Sequence, residues 1–470
     1  MIKPTSLSDF QAQAKLNKRV AIIREISCKQ LTPPLIYQLI SKLYPTDGVI
    51  FEDQNHAHIC FDPISSISVS NNNKNHPFSS LRALQSELAC ATQDEAAHLV
   101  THAIGFITYD VIRSFEAIPD RHVANSSLPV LLFHFYRLSL VIDFKKQAIL
   151  ISLIVETNKE LLKIYSKAQQ KLSDIIALLS TDILDTILLT STNTVSPIEL
   201  ETSDADFISM VKKAKEAILR GDAFQIVLSR CFKRRYFATP LDIYKTLRSI
   251  NPAPFMFYFP IESGVIVGAS PERLVRVHDR TITVNPIAGT RKKTPDKTNE
   301  MISLDLLSDK KEVAEHMMLV DLARNDVGSV SEPNSVTVKE FLQVKHYSHV
   351  SHIASTVTGK LQNEYDALDA LIAAFPAGTL SGAPKIRAMQ LIDELETSRR
   401  GLYGGAICRF DLLGNLDSCI AIRTALLQNG IATIRAGAGI VHDSNPANEA
   451  QETFYKAQSM LDTIAKADGE

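Results

Sequence analysis

Two pairs of carboxylates in this 470-residue chain are spaced to act together. Glu312 and Glu315 stand three residues apart, and Glu449 and Glu452 repeat the spacing near the end of the chain. Residues i and i+3 of a helix share a face, so each pair presents two acids side by side. Such acids repel unless a cation or a donor joins them. Two pairs facing one cleft would make a hard-oxygen site suited to Mg²⁺. The same spacing also fits solvated helix faces that carry surface ion pairs. Other candidates stand alone. Glu272, in Gly268-Ala269-Ser270-Pro271-Glu272, is a proton donor if its pocket closes and a turn carboxylate if it does not. Arg423, inward on an apolar strand, would need an anionic partner, and its planar fork suits a carboxylate. Tyr403 offers a hydroxyl, and Gly437-Ala438-Gly439 offers backbone N–H groups and room. His352, in His349-Val350-Ser351-His352-Ile353, is a candidate too, although a lone histidine is more often structural.

The elements that must position these groups follow from pattern. Pro376-Ala377-Gly378-Thr379 and Ser381-Gly382-Ala383-Pro384-Lys385 make a shaped turn before a helix whose stripe is Ile386, Met389, Ile392 and Leu395. A glycine-rich turn entering a helix exposes N–H groups to an anion, with Lys385 and Arg387 adding charge; a packed turn with solvated charges is the alternative. Residues 311–325 and 446–465 read as the helices bearing the acid pairs. Ser203 caps a helix striped by Phe207, Val211, Ala214 and Ile218 and ended by Gly221. Phe224 to Phe232 is a strand carrying Gln225, a candidate catalytic residue, with Ser229 and Arg230; on the plainer reading all three make an ordinary solvent face. A meander of strands covers 255–284, and Gly404–Asp411, Cys419–Leu427 and Ala432–Ile440 are strand-rich. Earlier, Gly105–Asp110 reads as a buried strand and 131–144 pairs with 149–154 as a hairpin. Residues 158–180 form an amphipathic helix, and Asn71–His76 is a polar loop. The divisions are an N-terminal part over 1–180, a linker or crossover over 181–203, and a catalytic region over 204–470. Strands, helix, strands, helix, strands in that order imply an α+β sandwich of large antiparallel or mixed sheets with helices outside.

Composition is that of an ordinary globular chain: 45% hydrophobic, 22% charged, formal net charge −2. No basic tail points to nucleic acid. No apolar run approaches the ~18 residues of a membrane span, and the start lacks a signal peptide. The six cysteines are scattered without a CxxC pair, so neither zinc nor a disulfide framework is indicated, and a reducing cytoplasm is the expected location.

The stretch 372–405, with the acidic runs on either side, resembles the signature of the chorismate-utilising enzymes, and among them the large component of the anthranilate synthases. The resemblance runs through roughly residues 200–465. It implies two interleaved subdomains, each on a large sheet, with the active site in the cleft between them. It implies that Glu315 and Glu452 ligate Mg²⁺, with Glu312 and Glu449 close by. It implies that Gly289, Thr290, Tyr403, Arg423, Gly437, Ala438 and Gly439 bind chorismate, with Lys385 near that pocket. Glu272 matches the family's general acid, and His352 its active-site histidine. The implied reaction is a carbon–oxygen lyase reaction: ammonia attacks C2, the C4 hydroxyl departs, and pyruvate is eliminated to leave anthranilate.

Two positions separate the sister enzymes. Isochorismate-forming relatives carry a lysine at Gln225 to activate water, and aminodeoxychorismate synthases commonly carry a nucleophilic lysine at Ala288 in Pro286-Ile287-Ala288-Gly289-Thr290. Both are absent, which favours amination at C2. The alternatives are an aminodeoxychorismate or 2-amino-2-deoxyisochorismate synthase, or a non-catalytic scaffold for an amidotransferase. Arg291-Lys292-Lys293-Thr294 stands where the family commonly has arginine-glycine. The family's Leu-Leu-Glu-Ser feedback motif is matched by Ile50-Phe51-Glu52-Asp53, which with Pro254 and Met256 would meet L-tryptophan as inhibitor. Asp53 in place of serine predicts weakened or altered feedback. The chain has no glutaminase nucleophile turn, so a glutamine amidotransferase small subunit, often in a heterotetramer, is the implied partner and source of ammonia.

Overall fold

The computed structural model describes residues 5–28, 31–44, 48–70, 77–87, 102–123, 128–157, 160–180, 196–294, 296–346 and 350–469. The expected loop 71–76 and the linker stretch 181–195 lie outside them. Among the described residues twenty strands join in one hydrogen-bonded network. In chain order they are β1 (Arg19–Ser27), β2 (Val49–Glu52), β3 (His56–Val69), β4 (His102–Ile107), β5 (Leu131–Asp143), β6 (Ala148–Glu156), β7 (Glu199–Leu200), β8 (Gln225–Arg235), β9 (Phe255–Ile261), β10 (Gly264–Ser270), β11 (Arg273–His278), β12 (Thr281–Val284), β13 (Ile287–Lys292), β14 (Thr337–His346), β15 (Val350–Lys360), β16 (Gly382–Ala383), β17 (Ala406–Asp411), β18 (Leu416–Ile420), β19 (Thr424–Gln428) and β20 (Ile431–Ile440).

The pairings are antiparallel and sort into two layers. One runs β1-β6-β5-β3-β2-β9-β10-β19-β20-β8. The other runs β5-β4-β17-β18-β11-β12-β15, with β13 and β14 on opposite edges of β15. The long strand β5 joins them, lending Leu131 to Phe135 to β4 and Leu138 to Asp143 to β6. Phe51, Phe106, Phe255, Phe257 and Phe259, from strands of both layers, share one buried cluster. The chain crosses between layers repeatedly, so strands from before residue 181 lie edge to edge with strands from after residue 203. The α+β expectation holds, with large antiparallel sheets and helices at the periphery.

Several local expectations change. The run 105–110 is not one strand: β4 ends at Ile107 and a 3₁₀ turn covers Tyr109–Ser114. Gln225, Ser229 and Arg230 are not on a solvent face, being 5%, 1% and 1% exposed. Strand β8 is covered on both sides, so both of its alternating faces are buried. In the helix Lys385–Leu395 the buried residues are Ala388, Met389, Leu391, Ile392 and Asp393, while Ile386 is 45% exposed. Pairing of Gly382 and Ala383 with Ile226 and Gln225 sets the rotation at which this helix starts. A Cβ on Gly382 would lie 2.1 Å from the Gln225 carbonyl oxygen, so the glycine serves strand contact.

Candidate active site

The two acidic helices come from different layers. Lys310–Gly328 packs on β13 and β15, and Pro446–Ala467 packs on β20. Asp309 caps the first through Lys311 and Glu312 N–H, and Asn445 caps the second through Ala447 and Asn448 N–H. Glu315 and Glu452, one from each helix, are near enough for their charges to interact. Burial raises the Glu315 pKa, with the charges of Glu312 and Glu452 adding to it, while Gln225 and Lys311 oppose. Burial likewise raises Glu449, opposed by Ser444 and reinforced by the charge of Glu452. Gln225 Nε2 donates to Glu315 Oε1 at 3.3 Å, while Gln225 Oε1 is buried without a hydrogen-bond partner.

The four acids differ in their engagements. Glu312 is held by Arg291, whose guanidinium also reaches Asp305 and Asp309. Glu452 meets Lys456 Nζ at 2.7 Å. Among the described residues no three His, Cys, Asp or Glu side chains gather closely enough to hold a metal alone. Mg²⁺ does not require that, since it takes one or two carboxylates and keeps water or substrate oxygens. Mutually repelling carboxylates from two helices, all hard oxygen donors, fit such an ion.

Glu272 lies just beyond β10. Burial pushes its carboxyl up to about 7, against the Thr379 hydrogen bond and the Lys456 charge. Thr379 Oγ1 donates to Glu272 Oε1 at 3.0 Å, which explains why the turn before Lys385–Leu395 belongs to the site. Gly289 sits in a bulge of β13 at φ +61°, and the His352 ring meets its carbonyl oxygen at 3.1 Å and Thr290 Oγ1 at 3.0 Å through Nδ1. Burial lowers the His352 pKa, so a neutral ring is favoured.

Gly437, Ala438 and Gly439 are inside β20, opposite Ser229, Leu228 and Val227. Lys456 Nζ donates to the Gly437 carbonyl oxygen at 3.0 Å, so that carbonyl points away from β8. N–H and C=O of one residue share a strand edge, so the Gly437 and Gly439 N–H groups face that same side. A Cβ on Gly437 would lie 2.5 Å from the Tyr403 hydroxyl, and one on Gly439 2.8 Å from Gln225 Nε2. Tyr403 is buried, which pushes its hydroxyl up to about 12 and keeps it a neutral donor.

Two expected positions are corrected. Arg423 does not lie within a strand. It lies between β18 and β19 at φ +50°, with part of its surface exposed, while burial around the guanidinium lowers its pKa against the pull of Tyr403; among the described residues no hydrogen bond or ion pair holds that group. Its backbone is held beside β10, where its carbonyl oxygen accepts from Ala269 N–H at 3.1 Å. Lys385 is not a free cation: its Nζ lies 2.9 Å from both carboxylate oxygens of Asp326. In the feedback motif, Glu52 pairs with Met256 across β2 and β9, with Pro254 just ahead of that strand. Glu52 is committed to the Tyr244 hydroxyl and to Arg248 Nε at 2.9 Å. Asp53 Oδ1 accepts from Asn55 and His56 N–H, an Asx turn that closes the β2–β3 hairpin.

Sequence reasoning missed Lys456 and Thr379. Lys456 carried a signal, one helical turn beyond Glu452; Thr379 carried none, because its partner is 107 residues away. It also missed a buried cluster behind Tyr403. Glu396 accepts from Ser229 N–H and Oγ at 2.8 Å and meets Arg400 and Arg435, and Arg400 lies over the Tyr109 and Tyr403 rings. A cavity of about 370 Å³ beyond Tyr403 shares that residue with the cleft but none of the acids.

The family model for chorismate binding enzymes matches residues 47–462. The chain is 43% identical to anthranilate synthase component 1 of Acetivibrio thermocellus over 375 residues, 78% of this chain and 75% of that protein. It is 36% identical to the Mycolicibacterium smegmatis component 1 over 497 residues, 99% of this chain and 95% of that protein. The crystal structure of anthranilate synthase component I from Streptococcus pneumoniae superposes with TM-score 0.76 at 35% identity, covering 93% of this chain and 98% of that one. The menaquinone-specific isochorismate synthase of Escherichia coli shares the fold at 19% identity, with TM-score 0.73 and 98% and 99% of the two chains covered.

Proposed function

The chain belongs to the chorismate-binding enzyme family, and from that premise we propose that it is the synthase subunit of an anthranilate synthase. Its reaction is the Mg²⁺-dependent amination of chorismate at C2, with loss of the C4 hydroxyl and elimination of pyruvate. The observation that carries the choice of nucleophile is Gln225. Its carbonyl oxygen is buried without a partner, and its amide is fixed on Glu315. That oxygen accepts an N–H of ammonia, and the side chain has no basic nitrogen with which to activate water. Ala288 offers no nucleophile for a covalent adduct.

The remaining residues fall into roles by chemistry. Glu315 and Glu452 would hold the Mg²⁺, with Glu312 and Glu449 supporting from the same faces. Bound there, the ion would supply positive charge that favours the ring carboxylate and electron withdrawal toward it. Arg423 and Lys456 meet the substrate's anionic groups, and the Tyr403 hydroxyl with the Gly437–Gly439 edge adds donors. Gly289 and Thr290 form the far wall and orient His352. Glu272, protonated near neutrality, gives its proton to the C4 hydroxyl, which leaves as water as the C2–N bond forms. Loss of the C2 proton and cleavage of the C3–O bond then release enolpyruvate, which takes up a proton to become pyruvate, and make the ring aromatic. Ammonia from glutamine would come from an amidotransferase partner.

The test is product identification after mixing the protein with chorismate, Mg²⁺ and an ammonium salt. Fluorescent anthranilate with equimolar pyruvate is expected. An amino product without pyruvate would overturn the elimination step, and no turnover, with ammonium or with glutamine plus an amidotransferase, would leave a scaffold.

A further inference from the structure

One face of strand β8 turns Gln225 toward Glu315 and Ser229 toward Glu396. Its other face carries Ile226, Leu228, Arg230 and Phe232 against the helices. Ile226 and Leu228 there share a buried cluster with Phe207, Val211 and Ala450. Arg230 is 1% exposed in this apolar layer. Packing alone would be served by an apolar side chain, so a buried guanidinium needs another reason. Its N–H groups are directed at specific atoms. Nε donates to Thr453 Oγ1 at 2.8 Å, Nη2 to the Ala450 carbonyl oxygen at 2.9 Å, and Nη1 to Asp204 Oδ1 at 2.5 Å. The guanidinium carbon lies 5.2 and 5.3 Å from the Phe207 and Phe232 ring centres.

Ala450 and Thr453 each directly follow one of the acids Glu449 and Glu452. They form the buried face of the Pro446–Ala467 helix beside the face that bears the acids. Thr453 Oγ1 also donates to the Ala450 carbonyl oxygen at 2.7 Å, so arginine, hydroxyl and carbonyl close a triangle on the second turn. Successive helical residues are turned by ~100° and displaced by ~1.5 Å. A clamp that recognises those two atoms together therefore selects one rotation and one height for the helix. Asp204, at the start of the helix that follows Ser203, balances the charge from the solvent side.

We propose that Arg230 is a positioning residue that fixes the rotation of the Pro446–Ala467 helix and so presents Glu449 and Glu452 to the divalent cation. The inference rests on the assignment of these acids to the metal. Arg230 touches neither substrate nor metal; it acts from the opposite side of the strand that carries Gln225. Arg230→Lys keeps a buried charge but cannot reach Thr453 and Ala450 at once. Thr453→Val keeps the shape and removes one corner of the triangle.

The decisive measurement is Mn²⁺ binding to the full chain without substrate, followed by the electron paramagnetic resonance signal of free Mn²⁺. Both variants are expected to bind Mn²⁺ at least about fivefold more weakly. In turnover, the apparent Mg²⁺ constant rises by a similar factor while kcat at saturating Mg²⁺ falls less. A lowered melting temperature with Mn²⁺ affinity unchanged would overturn the proposal, because it is the mark of a merely structural arginine. If Arg230→Lys does not fold, Thr453→Val alone decides, since it removes only a hydroxyl. Glu452→Gln is the control: unchanged Mn²⁺ binding in that variant would overturn the ligand assignment itself, a failure separate from that of the clamp.

Discussion

Replacing Glu272 by Gln separates its acid role from its packing role. The carboxyl is raised from 4.5 to about 7, chiefly by burial. At ~1.4 kcal/mol per pH unit, the ionised form costs the fold about 3 kcal/mol. The sign follows from proton counts. Between pH 4.5 and about 7 the folded state holds a proton that the unfolded state has lost. Stability therefore falls as pH rises through that window, and the cost is fully present above it. Glutamine is neutral at every pH, and its carbonyl oxygen can still accept from Thr379. Glu272→Gln is thus expected to match the unmodified chain at the acid end and to exceed it by up to about 3 kcal/mol at pH 8. Thermal melts of both proteins from pH 5 to pH 8.5 read this difference directly. Over the same range the variant should lose about 10²-fold or more in anthranilate formation, because no proton reaches the departing hydroxyl. Melting curves whose difference does not change with pH would refute the burial argument. Retention of more than about a tenth of the activity would refute the acid assignment.

Other perturbations bear on separate parts of the reasoning. Glu315→Gln and Glu452→Gln should each depress Mg²⁺-dependent turnover while circular dichroism stays unchanged; a Mg²⁺ titration showing full activity rejects that ligand. Glu396→Ala leaves Arg400 and Arg435 buried without their carboxylate, an expected loss of about 3–5 kcal/mol in denaturant melts, and a loss under ~1 kcal/mol would contradict it. Gly437→Ala forces a methyl group to within 2.5 Å of the Tyr403 hydroxyl; the displacement should cost about tenfold or more in kcat/KM, and unaltered kinetics would show that the hydroxyl has no set position. Asp53, whose carboxylate closes a hairpin turn beside Glu52, should leave the enzyme weakly sensitive to L-tryptophan; strong inhibition at low micromolar concentrations in the ammonium assay would disprove this.

Where the pattern is local, the sequence was legible. The cap at Ser203, the stripe Phe207, Val211 and Ala214, and the turn at Gly221 (φ +81°) appear as expected. So does the hairpin of β5 and β6. The helix Pro240–Ile250 was overlooked although Thr239 caps it through Asp242 N–H and proline opens it. The acid pairs were legible as pairs, since i,i+3 spacing on a helix is a property of one segment. Arg423 misled because the strand expected to carry it is interrupted: β18 has ended before β19 begins. Lys385 misled because Asp326, which neutralises it, closes the preceding acidic helix 59 positions earlier in the chain.

By itself the sequence determined the kinds of groups available: carboxylates at helical spacing, a glutamine and an alanine where sister enzymes use lysine, and glycines where a side chain would intrude. Only the tertiary structure decided which of them share a space. Thr379 raises its hydroxyl to Glu272, Gln225 meets Glu315, and Arg230 grips the far side of the helix that bears Glu452, each across a long separation in sequence. The physical reason is burial. A carboxyl with an ordinary value of 4.5 becomes an acid near 7, and an arginine becomes a clamp, only after packing of the two layers and their helices removes the water that would otherwise solvate them.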